Sequence, residues 1–211
     1  MIGRPLPTPR HAGMKIIAII PARGGSKRLP RKNIYEIFGK PMLYWAIKAC
    51  QKSSLAIEPW VSTEDEEIEK VARSFGAKIH KRDPRLSEDH IYKQEVIRAA
   101  AKYISEQNSE KPDIVISLQP NSPEIKSTML DNAIKKFLRY DRNELFSVDF
   151  ELIQNAAFRI MKYDYVYQKD LSTKCGVFLC SLRDVHTIED VEYLEKIKKK
   201  NATTEGKRFN N

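Results

Sequence analysis

Cysteine is scarce in this chain: Cys50, Cys175 and Cys180 are the only three, far apart and without CxxC spacing. An odd, scattered set excludes a disulfide framework and a four-cysteine zinc site, and it fits reduced thiols in a cytoplasmic protein. Long hydrophobic runs are lacking too. The apolar stretch Ile16 to Ile20 has strand length, well short of the roughly 18 residues that a membrane span requires. A soluble, unexported chain with no membrane partner is expected. There is no GxGxxG, no loop ending in GKS or GKT, no GxGxRM start and no repeat of solenoid period, so dinucleotide, Walker A and solenoid readings fall away.

What is abundant is positive charge, with 37 Lys and Arg against 28 Asp and Glu and a net charge of +9. Such an excess invites a nucleic-acid reading, but its distribution argues against one. Much of it sits in Lys198, Lys199, Lys200, Lys207 and Arg208 and in one loop from Arg23 to Lys32, while the middle of the chain mixes both signs. A basic loop of that size suits a small polyphosphate better than a duplex, and the terminal charges read as a solvated helix end.

With 211 residues, 41% of them hydrophobic, the chain can bury one good core, which favours a single domain. Residues 1–13, with Pro5, Pro7 and Pro9, read as an extended or disordered leader. The run from Lys15 to Ile20, closed by Pro21, predicts a strand buried on both faces. Pro41 opens a helix carrying Leu43, Ile47 and Cys50. The alternation repeats: strands at 57–62, 77–80 and 113–118, and helices at 65–75, 95–106 and 127–138. This order predicts a three-layer α/β/α sandwich with a mostly parallel, Rossmann-like sheet and ligands at the carboxyl ends of its strands. Residues 144–174 are less regular, and the alternation of Tyr163, Tyr165 and Tyr167 suggests a hairpin lying off the main sheet. A strand follows at 175–180. Thr187 and Asp190 have capping-box spacing for a final helix, with the domain ending near 197 and residues 198–211 forming a basic, frayed tail.

The first strand leads into Pro21-Ala22-Arg23-Gly24-Gly25-Ser26-Lys27-Arg28-Leu29-Pro30-Arg31-Lys32-Asn33. Gly24 and Gly25 allow a tight turn whose N–H groups can form an anion-binding concavity. Arg23, Lys27, Arg28, Arg31 and Lys32 would repel one another unless something anionic lay among them. A solvated basic loop is the plain alternative. A triphosphate is the occupant that the composition favours.

This string resembles the nucleotide-binding signature of the acylneuraminate cytidylyltransferases. Further segments match in order: Gly39 to Leu43 resembles GKPLI, Val61 to Asp65 resembles VSTDD, and Arg82 with Leu86, Ser87 and Asp89 resembles RPxxLAxD. Leu118 to Pro123 resembles LQPTSP, and Asp184 to Val191 resembles DIDTxxDL. The resemblance implies a nucleotidyltransferase of the nucleotide-diphospho-sugar transferase fold that moves CMP from CTP to an acidic 2-keto sugar, releases pyrophosphate and works as a homodimer. It implies phosphate contacts from Arg23, Ser26, Lys27 and Lys32 within the loop Ala22, Gly24 and Gly25. Asn33 would meet the nucleoside, Arg82 the cytosine edge and Gln119 the sugar acid, with Arg23, Lys27 and Gln119 as the catalytic set. Magnesium would sit on Asp184 and the residue two further on. That residue is His186 where the family has aspartate, and imidazole suits manganese better. The segment resembling FRxNGAIYI shrinks to Thr173 to Leu179, a reduced acceptor and dimerisation region with Lys169 and Lys174 as candidates for the sugar carboxylate. Two other readings stay open. One is transfer to a different acceptor, such as a 3-deoxy-octulosonate or a sugar phosphate, and the other is a nucleotide-binding protein without catalysis.

Overall fold

The structure, a computed structural model, describes residues 13–208, with side chains through residue 201. The expected leader lies outside the described residues apart from Gly13.

Strand β1 (Ile16–Pro21) is buried along nearly its whole length, as its unbroken β-branched run predicts. Its side chains alternate between two layers. Ile16, Ala18 and Ile20 pack with α1 (Met42–Gln51), α2 (Glu66–Ser74) and α4 (Ser127–Arg139). Ile17 and Ile19 pack with α3 (Lys93–Asn108) through Ile97, Ala100, Ala101 and Ile104. Each fully buried Ile, Leu or Phe contributes about 1.5–3 kcal/mol, so these two layers hold the sheet from both sides. A third cluster joins Leu29, Ile37 and Met42 to Val185, Val191 and Leu194, where α5 (Ile188–Arg208) closes over the loop after β1.

Parallel strands β4 (Glu58–Thr63) and β5 (Lys78–Lys81) lie on one side of β1, and β6 (Ile114–Leu118) lies parallel on the other. The sheet order is β5-β4-β1-β6-β8-β7-β9, with β7 (Glu144–Val148), β8 (Gln154–Lys162) and β9 (Cys175–Leu179). A small hairpin, β2 (Glu36–Ile37) and β3 (Lys40–Pro41), stands apart. Its two turn residues, Phe38 and Gly39, have φ of 56° and 74°, the left-handed pair that a two-residue hairpin turn requires.

Two expectations are corrected. Residues 144–162 do not lie off the sheet: β8 is wedged between β6 and β7 and antiparallel to both. Only five residues separate β7 from β8, too few for a parallel crossover, so the chain must turn straight back. Phe158, Ile160 and Met161 are buried in the core, which seals the pairing. The tyrosine run is a 3-10 helix, Tyr163–Tyr167, not a strand; Val166 is buried beneath α3, and the hydroxyls of Tyr163 and Tyr167 meet at 3.0 Å. The last helix runs to Arg208, through the segment expected to be a frayed tail. Lys198 is not simply solvated, since its ammonium lies 4.1 Å from the Phe38 ring centroid and 5.1 Å from that of Trp45.

Candidate active site

The parallel strands end in one cavity of about 480 Å³. Arg23 follows β1, Arg82 follows β5 and Gln119 follows β6, each within two residues of the strand end. This is the carboxyl edge where the sheet leaves a crevice. Six cationic side chains line it: Arg23, Lys27, Arg28, Lys32, Arg82 and Lys93.

Acidic residues hold these cations in place. Asp89 accepts from Arg23 Nη1 at 2.8 Å and from Lys27 Nζ. The Lys27 contact, then that of Arg23, keeps its carboxyl below the usual range. Glu64 accepts from Gly24 N at 2.9 Å, Arg82 Nη2 at 2.6 Å and Ser87 Oγ at 2.7 Å. Burial alone would raise the Glu64 pKa, but the bonds from Ser87, Gly24 and Arg82 outweigh it and hold the carboxyl ionised. Arg82 is 4% exposed and its Nε is buried without a partner. Burial lowers the pKa of Lys32, assisted by Arg28 and opposed by Asp184, so its ammonium is destabilised until an anion arrives.

The loop places its expected residues unevenly. Arg23, Ser26, Lys27, Lys32 and Asn33 line the cavity, as do Arg82 and Gln119. Asn33 is buried and its Nδ2 donates to Arg23 O at 2.8 Å, so its amide also fixes the loop. Ala22 is buried, and its N–H donates to Ser62 O. Of the two glycines expected to form a backbone concavity, Gly24 turns its N–H to Glu64, and neither lines the cavity. Gly24 is needed for another reason: a Cβ there would run into the Asp65 carboxylate. Arg31, counted among the loop cations, faces away and forks onto Asp65 at 2.5 and 3.0 Å. Asp65 in turn caps α2 by accepting from the N–H groups of Glu67 and Ile68.

From the segment before α5 His186 lines the cavity, and Asp184, itself outside the lining, lies near enough to feel the charges of Lys93 and Lys32. Asn121 anchors that segment, its O accepting from Val185 N at 2.8 Å and its Nδ2 donating to Val185 O at 3.2 Å. Asp190 accepts from the N–H groups of His186 and Thr187, the carboxylate half of the expected capping box. Ser122 Oγ donates to Asp184 Oδ1 at 2.5 Å. Burial raises the Asp184 pKa, against the pull of Ser122, His186, Lys93 and Lys32. The ring of His186 lies 3.2 Å from Arg28 Nη2 through Nδ1. A guanidinium can only donate, so Nδ1 is the acceptor; burial lowers the ring's pKa, with Lys32 and Arg28 lowering it further and Asp184 and Asp190 opposing.

Sequence reasoning missed Lys93. It opens α3 at the cavity wall, and burial of its ammonium lowers its pKa. No local pattern marks a lysine at a helix start as a ligand, and only the packing of α3 brings it here. Lys169 and Lys174 are corrected as carboxylate candidates: neither lines this cavity, and Lys174 pairs with Asp141 at 3.1 Å beyond the far edge of β7.

Comparison with known proteins agrees with this geometry. A family model described as Cytidylyltransferase matches residues 17–150. A pseudaminic acid cytidylyltransferase from Campylobacter jejuni is 37% identical over 159 residues, covering 74% of this chain and 68% of that protein. N-acylneuraminate cytidylyltransferase A from Danio rerio is 38% identical over 139 residues, covering 66% of this chain and 31% of that protein. Among solved structures, a CMP:2-keto-3-deoxy-manno-octonic acid synthetase complexed with CTP superposes with a TM-score of 0.71 at 17% identity, covering 89% of this chain and 99% of that one. With the family model spanning most of the chain and the cavity at the expected strand ends, the chain belongs to the cytidylyltransferase family of enzymes.

Proposed function

We propose that the enzyme transfers CMP from CTP to a nine-carbon acidic 2-keto sugar and releases pyrophosphate. The observation that carries this reading is the cavity into which Arg23, Lys27, Arg28 and Lys32 converge beside Gln119. A triphosphate supplies more negative charge than the single Asp89 carboxylate that Arg23 and Lys27 share. The names of the Campylobacter jejuni and Danio rerio relatives support a nonulosonic acid as acceptor.

In this reading the anomeric hydroxyl oxygen of the sugar forms a bond to the α-phosphorus. The bond from that phosphorus to the bridging oxygen breaks, pyrophosphate leaves in line, and the hydroxyl proton passes to solvent. Little covalent help is required, so positioning and charge stabilisation do the catalysis. Lys27, 78% exposed at its side chain, is free to swing from Asp89 onto the departing phosphates. Arg23 makes the same exchange with a planar fork. Arg82, fixed by Glu64, lines the nucleotide side of the cavity, and Gln119 stands on the acceptor side.

The donor set fits magnesium in one respect. Asp184 offers a carboxylate oxygen beyond the one bonded to Ser122, and magnesium binds through one or two carboxylates together with substrate phosphates and water. Among the described residues no group of three His, Cys, Asp or Glu is gathered around it. Asp184 would hold the ion, which would neutralise phosphate charge. His186 would hold manganese through Nε2, its Nδ1 being turned to Arg28.

A homodimer in the cytoplasm completes the proposal. Strand β9 has one neighbour, β7, among the described residues, and Val177 and Leu179 on it are exposed, as are Phe150, Leu152 and Ile153 in the β7–β8 turn. The thiols are free, and among the described residues no helix is long and apolar enough to cross a membrane. Nucleic acid is not a partner in this reading, because the cations converge on a concave site.

The test is pyrophosphate release from each nucleoside triphosphate against a panel of nonulosonic acids. Turnover with CTP and one such acid is expected. Turnover only with an eight-carbon acid would favour the second reading, which is supported by 35% identity over 121 residues to a 3-deoxy-manno-octulosonate cytidylyltransferase from Geobacter metallireducens. Nucleotide binding without release would overturn the enzymatic role.

A further inference from the structure

The proposed transfer leaves a second space unused. It lies between α1, the start of α4 and α5, and measures about 530 Å³ beside the 480 Å³ of the nucleotide cavity. Phe38, Trp45, Ile125, Leu194 and Ile197 give it an apolar lining. Trp45 is fixed there: its Nε1 donates to Ile37 O at 3.1 Å, and its ring meets that of Phe38 edge-on with centroids 5.7 Å apart. Phe38 has a φ of 56°, a backbone region that bulky residues seldom adopt. Glu195 Oε1 accepts its N–H at 2.5 Å. Asparagine or glycine would make the same turn without strain, so the local backbone gives no reason for a ring here.

Four lysines, Lys48, Lys52, Lys126 and Lys198, line the same space against one carboxylate, Glu124. Among the described residues Lys48, Lys52 and Lys126 have no ion-pair partner, and Lys198 rests on the rings of Phe38 and Trp45. Lys126 precedes α4 without capping it, at the helix end where a cation is disfavoured. Local structure does not account for that charge, whereas an anion in the cavity does. Aromatic rings beside ammonium groups match a molecule with a planar base and a phosphate, since bases stack on rings and lysine meets phosphate as a point charge. The volume is that of a small-ligand site. Two walls are shared with the nucleotide cavity. Pro120 and Asn121 line that one, Pro123 and Ile125 this one, and Ser122 between them donates to Asp184 at 2.5 Å. His186, just before α5, lines the first, and Leu194 and Ile197 of α5 line the second.

We propose that this cavity is a second, regulatory site for a nucleoside monophosphate, CMP, with the base against Phe38 and Trp45 and the phosphate among Lys48, Lys126 and Lys198. Its effect rests on the proposed transfer. In a glycosyl transfer that consumes a CMP-sugar, an acceptor hydroxyl oxygen bonds to the anomeric carbon and the bond from that carbon to the phosphate oxygen breaks. CMP leaves, and the hydroxyl proton passes to solvent. CMP is thus what remains of CTP once the sugar is passed on, and its level reports how far the cytidine pool is spent. A ligand that draws the start of α4 toward α5 shifts Ser122 from Asp184, so occupancy slows turnover even when CTP is saturating.

Trp45 serves as the reporter, because the other tryptophan, Trp60, packs in the α3 layer. Tryptophan emission is titrated with CMP in the wild type, in Trp45→Phe and in the double variant Lys48→Glu/Lys126→Glu, with thermal melting to check folding. Saturable quenching is expected in the wild type, lost in Trp45→Phe and weakened about tenfold or more in the lysine variant. Calorimetry is expected to count two CMP per wild-type chain and one in the lysine variant. In initial rates, CTP overcomes CMP bound at the nucleotide cavity. A residual loss of kcat at saturating CTP is expected in the wild type and not in the lysine variant, whose kcat without CMP stays within about twofold. One CMP per chain in both proteins, quenching indifferent to the lysines, or purely competitive inhibition would overturn the regulatory site while leaving the transfer standing. Equal quenching by inorganic phosphate would reduce the site to an anion patch and overturn it too. If the wild type turns over no sugar acid while the lysine-dependent second CMP is still counted, the transfer reading fails and the binding site stands.

Discussion

Arg82 donates to Glu64 at 2.6 Å, and this pair locks together the chain ends of two adjacent strands, β5 and β4. Because the same carboxylate also takes the Gly24 N–H and the Ser87 hydroxyl, one acidic group ties three loops around the nucleotide cavity. Removing its charge leaves a buried guanidinium unpaired, which is costly. Glu64→Gln is expected to lower stability by about 1–3 kcal/mol and to weaken CTP binding at least tenfold. Chemical denaturation and calorimetry check both. An intact stability with normal binding would remove Glu64 from this role.

The same carboxylate sets an acid limit. Its folded pKa lies below its ordinary value, so its contribution to stability is full above the ordinary glutamate range near about 4.3. That contribution is lost as pH falls through the folded value. Unfolding midpoints measured between pH 7 and pH 3 are expected to decline below about 4.5, and less steeply in Glu64→Gln than in the wild type.

Lys27→Ala is expected to reduce kcat/KM by a factor of about a thousand, the scale of losing a charge contact made in the transition state. Its side chain is 78% exposed, and such a surface change alters stability by no more than about 0.5 kcal/mol. Single-turnover pyrophosphate release and a melting curve distinguish the two effects. Retained release would take the lysine out of the reaction.

Asp89 pairs with Arg23 and Lys27, so a triphosphate bound by these two cations must displace it. Asp89→Asn is expected to tighten CTP binding several-fold, with a weaker preference for CTP over ADP. Titration calorimetry with both nucleotides is the check, and weakened CTP binding would show that Asp89 aids the bound state.

At the proposed ion site, Asp184→Asn keeps an oxygen to accept from Ser122 and loses the charge. Divalent-dependent turnover is expected to fall at least a hundredfold with little change in melting. His186→Asp is expected to lower the magnesium concentration needed for half-maximal activity and to remove any preference for manganese. Identical metal activation curves for wild type and His186→Asp would place that side chain outside the coordination sphere.

Most of the parallel half was legible. The runs at β1, β4 and β6 are buried on both faces, and the ends of β1 and β6 deliver Arg23 and Gln119 to one crevice. What reading along the chain hid was the second half. Nothing local in Phe158 to Lys162 says whether β8 enters the sheet or lies off it, because a buried strand looks the same beside any neighbour. The tyrosine alternation at 163–167 fits a strand by period, and packing under α3 made it a 3-10 helix instead.

Sequence by itself determined the chemistry on offer: a cation-dense loop after a buried strand, an acidic residue near the last helix, and the order of segments that resembles a known family. These depend on residue type and local spacing, which the chain carries unaided. Tertiary structure alone decided which charges meet. Arg31 is drawn away to Asp65, Asp89 is brought to Lys27, and Lys93 and Arg159 are set around a common space although 66 positions apart by their numbering. The physical reason is that side-chain partners are chosen by the packing of helices on sheet faces and by strand register, and neither is written in any short stretch of the chain.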